Sequence, residues 1–120
     1  MMPSPIFTPS DKRQAERYPS HKASILMIDG RQIYTTIINF SASGVGILSA
    51  ATIEPGTQVE LQFEVELDSR ITSIQIPIEI VRCSDDDDEH LIGAKLQTVT
   101  FEYRALLKKL ATLHARIPTQ

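Results

Sequence analysis

The sequence predicts a mostly β domain, an antiparallel sheet or barrel, with a flexible N-terminal arm before it and one α-helix after it. Three observations carry this. Apolar and polar residues alternate strictly through Val59–Leu67 and again through Ile74–Ile80, the period of a strand with one buried and one wet face. Short β-like runs are separated by turn signals at Asp29-Gly30, Pro55-Gly56 and Asp68-Ser69. Near the end of the chain the period changes: Tyr103, Leu106, Leu107, Leu110, Leu113 and Ile117 recur three and four residues apart, one stripe of an amphipathic helix.

Taken in order, residues 1–10 hold three prolines and two serines and have no periodicity, as expected of a flexible tail. Residues 11–21 form a basic arm, with Pro19-Ser20 expected to turn into the folded body. Ala23–Ile28 and Gln32–Phe40 are the two strands of a hairpin around Asp29-Gly30, and Val45–Ser49 is a third strand. Val59–Leu67 and the run ending at Ile80 are predicted to point Val59, Leu61, Phe63, Val65, Ile74, Ile76, Ile78 and Ile80 inward. Pro77 removes a ladder donor, which places that strand at an edge or gives it a bulge there. Ser84–Glu89, with four consecutive aspartates, reads as a solvated loop; the Asp-x-Asp-x-Asp-Gly register of a calcium loop is missing. Leu91–Leu96 completes the strands, and a helix over 101–115 ends before Pro118. The whole is one domain over 11–117, with the barrel at 22–98.

Composition narrows the function. With 42% hydrophobic and 22% charged residues, 120 residues suffice for one core, and the chain is expected to fold. No apolar run reaches the roughly 18 residues of a membrane span and no secretory signal opens the chain, so the expected location is the cytoplasm without membrane insertion. The net charge is −3, yet residues 11–22 carry four cations against two anions, a local +2 that leaves −5 for the rest. An acidic body with a basic arm suits a small anion and not the phosphate backbone of DNA. Cys83 is the single cysteine, so neither a disulfide nor a cysteine-built zinc site is available. His21, His90 and His114 are scattered, Ser41 and Ser43 lack a Gly-x-Ser-x-Gly context, and Gly44-Val45-Gly46 lacks the third glycine of a dinucleotide loop. The chain is therefore not expected to be an enzyme or to hold a metal or cofactor.

Two constellations suit a ligand. In Arg13-Gln14-Ala15-Glu16-Arg17 two guanidinium groups stand four residues apart, roughly 13 Å if extended and on one face if helical. Each planar fork matches a phosphate, or the O6/N7 edge of guanine, with two bonds. Asn39-Phe40-Ser41-Ala42-Ser43-Gly44 lies at the turn into the third strand. There Asn39 offers a donor and an acceptor for a base edge, the Ser41 hydroxyl can reach an anionic oxygen, and Gly44 permits positive φ and close backbone approach.

An Arg-x-x-x-Arg arm followed by an Asn/Asp-x-Ser-x-x-Gly turn on a small β-rich domain resembles the PilZ family. The resemblance spans residues 11–115 and includes Ile92-Gly93-Ala94-Lys95-Leu96, similar to that family's closing strand. It implies a six-stranded antiparallel barrel with a C-terminal helix that binds cyclic di-GMP and acts through an effector protein not named by the sequence. By resemblance Arg13 and Arg17 contact guanine and phosphate, Asn39 meets a guanine edge, Ser41 meets phosphate or base, and Gly44 shapes the turn. Ser43 and Lys12 are neighbouring candidates. Lys12 stands where many members have arginine, a neighbourhood the resemblance connects with binding one nucleotide or an intercalated pair. Arg82, on a strand opposite the motifs, is expected either to stack on a guanine face or to be an ordinary surface arginine. A nucleotide-independent adaptor is the alternative reading.

Overall fold

The computed structural model describes residues 16–86 and 88–116. Six antiparallel strands, β1 (Tyr18–Ile28), β2 (Arg31–Phe40), β3 (Gly44–Ser49), β4 (Gln58–Leu67), β5 (Arg70–Asp86) and β6 (Glu89–Leu96), precede one helix, α1 (Phe101–Arg116). The strands close into a barrel in the order β1-β2-β3-β6-β5-β4. Turn chemistry sets the hairpins. Asp29 and Gly30 both have positive φ (50° and 79°), as do Asp68 and Ser69 (51° and 65°), and each pair is a two-residue loop whose twist matches the strands it joins. At Glu54-Pro55-Gly56-Thr57 the Thr57 amide donates to the Glu54 carbonyl at 3.2 Å and Gly56 takes φ 93°, as a type II turn requires.

Every residue expected to point inward from β4 and β5 is buried, alongside Leu26, Ile37, Phe40, Val45, Ile47 and Ile92 from the other strands. β3 and β4 face each other across the ring, so residues 50–57 must cross one end of the barrel, where they insert Ile53 into the core. α1 covers the end at which β2 passes into β3. The Thr100 hydroxyl accepts from the Tyr103 amide at 3.1 Å, an N-cap, and Glu102 lies in the positive first turn. Tyr103 and Leu106 are buried, Leu107 and Leu110 pack partly against the core, and Leu113 is exposed: only the first half of the apolar stripe is used. Ile117 lies outside the described residues.

Three local expectations are corrected. Pro19-Ser20 is no turn: β1 begins at Tyr18, and the register with β2 slips between Pro19 and Lys22. Proline is tolerated there because β1 pairs with β4 only at Ile25–Met27, so among the described residues no ladder with β4 reaches Pro19. The bulge of β5 lies between Ile80 and Arg82, not at Pro77. The Pro77 carbonyl accepts from Gln97 at 3.0 Å, so its missing donor faces the level at which β6 ends. Finally, Ser84–Asp86 belong to β5 and pair with Leu91, His90 and Glu89, a hairpin running on past the core. Asp85 Oδ1 lies 3.1 Å from His90 Nδ1, and Asp87 lies outside the described residues. Cys83 packs half-buried against the core opposite Ile92.

Candidate ligand-binding site

The site is assembled where the start of β1, the β2–β3 turn and the first turn of α1 meet. The turn is built by Ser41. Its amide donates to the Gly44 carbonyl at 2.9 Å, its hydroxyl donates to the same carbonyl at 3.1 Å, and that hydroxyl accepts from the amides of Gly44 and Ser43 at 3.0 and 3.3 Å. Tyr103, arriving from α1, donates its hydroxyl to the Ser41 carbonyl at 2.7 Å and approaches the Gly44 carbonyl at 3.4 Å. Its ring packs on Phe40 with centroids 6.1 Å apart, and Phe40 packs in turn on Phe63 at 5.5 Å. The turn is thus bolted to the core from below. Burial pushes the Tyr103 hydroxyl well above the ordinary tyrosine range, with the nearby Arg17 charge acting in the opposite direction.

Asn39 and Arg17 come together above this base. A residue of slack in β2 between Ile37 and Asn39, relative to β3, turns Asn39 outward while Ile37 and Phe40 both stay buried. Arg17, exposed just before β1, donates from Nη1 to Asn39 Oδ1 at 2.5 Å. The two sequence motifs, twenty-two residues apart, therefore meet side chain to side chain. Beside them a groove of about 470 Å³ runs between Glu16, Tyr18, Ala42 and the α1 residues Arg104, Leu107 and Lys108. Ser43 is exposed at the tip of the turn, and its carbonyl accepts from Leu96 at 2.9 Å. Lys12 and Arg13 lie outside the described residues. A second concavity, of about 570 Å³, lies at the short β1–β4 seam among His21, Lys22, Gln62 and Gln75, away from both motifs.

Ser41 has a different local role from the one its chemistry suggested, and Gly44 serves one of the two uses expected of it. Ser41 is fully buried and its hydroxyl is spent within the turn, so it holds the turn's shape instead of presenting itself to solvent. Gly44 does not use positive φ. A Cβ there would stand 2.3 Å from the Ala94 carbonyl oxygen, so glycine is needed for the close approach of β3 to β6. Arg82 is on β5, opposite Gly93 of β6, which is opposite Gly46 of β3, which is opposite Asn39 of β2. One row across four strands thus links Arg82 to the motif asparagine.

Gly46, which lies under the Asn39 side chain, Gly93, which lies under that of Arg82, and Tyr103, which holds the turn, are not singled out by the two motifs. Glycine in mid-strand is the signal that marks the first two, since a strand interior accepts glycine at a cost and often where another group approaches the backbone. Tyr103 carries no signal apart from a core position in the helix stripe. Among the described residues no group of three or more His, Cys, Asp or Glu side chains could hold a metal ion.

Solved structures of similar fold include the Bacillus subtilis inhibitor of motility MotI/DgrA, at TM-score 0.77 and 16% identity over 89% of this chain and 53% of that one. The chain thus spans about half the length of that protein. The PilZ domain of Escherichia coli YcgR, determined with cyclic di-GMP, superposes at TM-score 0.64 with 14% identity over 87% of this chain and 92% of the domain. A tetrameric PilZ protein from Xanthomonas campestris aligns at TM-score 0.54 and 22% identity over 74% of this chain and 49% of its own. No curated protein sequence matches. The PilZ domain family model matches residues 11–112, nearly the whole of the folded body and the arm, and the chain belongs to that family.

Proposed function

We propose that this protein is a receptor for cyclic di-GMP that signals through a partner protein and has no catalytic role of its own. The contact between Arg17 and Asn39 supports the reading most directly, because it joins the arginine arm to the asparagine turn at one point on the barrel surface. Arg13 and Arg17 supply forked donors for phosphate and for the O6/N7 edge of guanine, and Asn39 supplies the complementary edge contact. Ser41 and Gly44 act through the turn they shape, while Ser43 and Lys12 flank the ligand. In the free protein Asn39 is already satisfied by Arg17, so the ligand exchanges a protein–protein bond for protein–ligand bonds. That exchange favours a ligand able to occupy both partners at once.

The proposed switch is the arm. Of residues 11–17 only Ala15 is apolar, while Lys12, Arg13 and Arg17 are cationic, so the contacts that the arm offers an anionic nucleotide are charged ones. Binding then creates a surface that a partner can recognise only in the liganded state. Competition tests this: cyclic di-GMP should displace a fluorescent analogue, whereas GTP and cyclic di-AMP should compete poorly. Equal competition by GTP would reduce the site to a general anion patch.

A further inference from the structure

The ring of strands is least complete where β1 meets β4. The two pair only at Ile25–Gln62, Leu26–Leu61 and Met27–Glu60, although β1 extends back to Tyr18 and β4 runs on to Leu67. Hydrogen-bonded and non-hydrogen-bonded pairs alternate along an antiparallel ladder, and a two-residue turn is flanked by a hydrogen-bonded pair. Counting from Leu67–Arg70, the N–H and C=O groups of Glu66, Glu64, Gln62 and Glu60 point away from β5 and toward β1. Counting from Ile28–Arg31, those of Met27, Ile25 and Ala23 point away from β2 and toward β4. The two counts converge on Met27–Glu60 and Ile25–Gln62, which are paired; the next match in that register, Ala23 with Glu64, is not. A groove of about 570 Å³ opens there instead, with the buried Phe63 at its floor and the exposed Tyr34 at its rim. At the next position of the same alternation the Glu66 carbonyl accepts from Lys109 Nζ of α1 at 2.5 Å, so a helix side chain supplies the donor that a strand would bring.

We infer that this seam is a strand-addition site for an extended segment of a partner protein, basic on its outward side and apolar on its inward side. Two facing strand edges with alternating donors and acceptors match a polypeptide backbone, and successive residues of one added strand pair alternately with β1 and with β4. The opening is short. From Gln62 to the lysine contact at Glu66 it spans roughly 13 Å, or about four residues of strand. Register then fixes the side chains. A residue level with Ala23 and Glu64 points outward, beside the Glu64 carboxylate and on the face of β4 that also carries Glu60 and Glu66, so a cation suits it. Its neighbours point inward, one of them onto Phe63, and are apolar. Lys22 does not oppose the cation, since it is level with the buried Ile37 and belongs to the inward row. The inference goes beyond the receptor reading and does not depend on it, because the seam lies away from both motifs.

The test is amide hydrogen exchange and peptide titration followed by NMR, on the full chain without nucleotide. In the free protein the Ala23 and Glu64 amides should exchange roughly a hundred-fold faster than those of Ile25 and Gln62, which the ladder holds. The probe is the capped pentapeptide Thr-Val-Lys-Val-Thr, which should bind saturably and slow both seam amides. Thr-Val-Pro-Val-Thr, lacking the central N–H, and Thr-Val-Glu-Val-Thr, with the wrong charge, should each bind about ten-fold more weakly or worse. Ala23→Pro removes a donor that faces the seam and none from the β1–β2 ladder, so it should fold and lose the lysine peptide. Glu64→Lys should reverse the preference in favour of the glutamate peptide. Seam amides as protected in the free protein as those of Ile25 and Gln62 would overturn the open edge. No binding of the lysine peptide at millimolar concentration, or equal binding of the proline peptide, would overturn strand addition. Protection that rises with protein concentration, in step with a doubled mass in sedimentation, would assign the seam to a second copy and overturn the peptide partner.

Discussion

Replacing Tyr103 with Phe removes one oxygen and tests how the helix and the ligand-binding turn are joined. The ring stays on Phe40, so packing is preserved, but the Ser41 carbonyl loses the donor that reaches it at 2.7 Å. The Gly44 carbonyl keeps the Ser41 amide and hydroxyl at 2.9 and 3.1 Å, so a single acceptor is orphaned and not two. Ser41 is fully buried, which denies that carbonyl a compensating water. An unsatisfied buried acceptor costs about 1–3 kcal/mol. At a urea m-value of about 1.5–2 kcal/mol/M for a domain of this size, the midpoint should fall by roughly 0.5–2 M with the slope unchanged. Tyr103→Ala forfeits the ring as well and should cost about 3–5 kcal/mol for the cavity alone, so it must be the worse of the two. Equilibrium unfolding followed by circular dichroism reads both. A Tyr103→Phe midpoint equal to the parent's would show that the hydroxyl is not what ties the turn to the helix.

The same hydroxyl predicts a pH dependence. Its folded value lies above the ordinary 10.0 of the unfolded chain, so the contribution is fully present below that pH and is lost as pH rises beyond it. Stability should therefore decline above about pH 10 in the parent and decline less in Tyr103→Phe, provided the lysines, common to both, set the shared background. Phe63→Ala, at the centre of the inward face of β4 and stacked on Phe40, should cost roughly 3–5 kcal/mol; an unmoved midpoint would show the assigned face to be wrong. Changing Asp85, Asp86 and Asp88 to Ser should leave cyclic di-GMP affinity within about three-fold, because the hairpin tip carries no contact to the motif residues Arg17, Asn39 and Ser41 among its described hydrogen bonds. A rise in the parent's melting temperature on adding calcium would contradict the solvated reading of the tip.

The strands and hairpins are legible because the two most regular strands alternate without error and the tightest turns carry residues that tolerate positive φ. Asp29-Gly30 is such a turn, and Asp68-Ser69 adopts the same geometry without glycine. Closure into a ring was not legible from periodicity, since a sheet and a barrel share one alternation; it came from the family resemblance. The errors cluster at bulges. Pro19-Ser20 looked like a turn because proline interrupts most strands, and the missing β4 neighbour that tolerates it is a tertiary fact. Asn39 and Arg82 share one cross-strand row only because each follows a register slip, which shifts parity in a way no local pattern announces. Ser41 was assigned by the chemistry of a hydroxyl, and a hydroxyl serves as well for closing a turn as for holding an anion. Which of the two it does is set by burial beneath Tyr103, sixty-two residues away.

If the arginine arm and the asparagine turn form one site for cyclic di-GMP, calorimetric titration will separate the parent from an Arg13→Ala/Arg17→Ala variant. Each arginine removes charge-assisted hydrogen bonds worth about 1.5–3 kcal/mol, so the double variant should bind at least a hundred-fold more weakly, at unchanged melting temperature because Arg17 is exposed and Arg13 belongs to the arm. Measurable heat from the parent with none from the variant is the predicted result. Absence of heat with the parent at high micromolar protein, or equal binding by the two proteins, would contradict the account and leave the nucleotide-independent adaptor in its place.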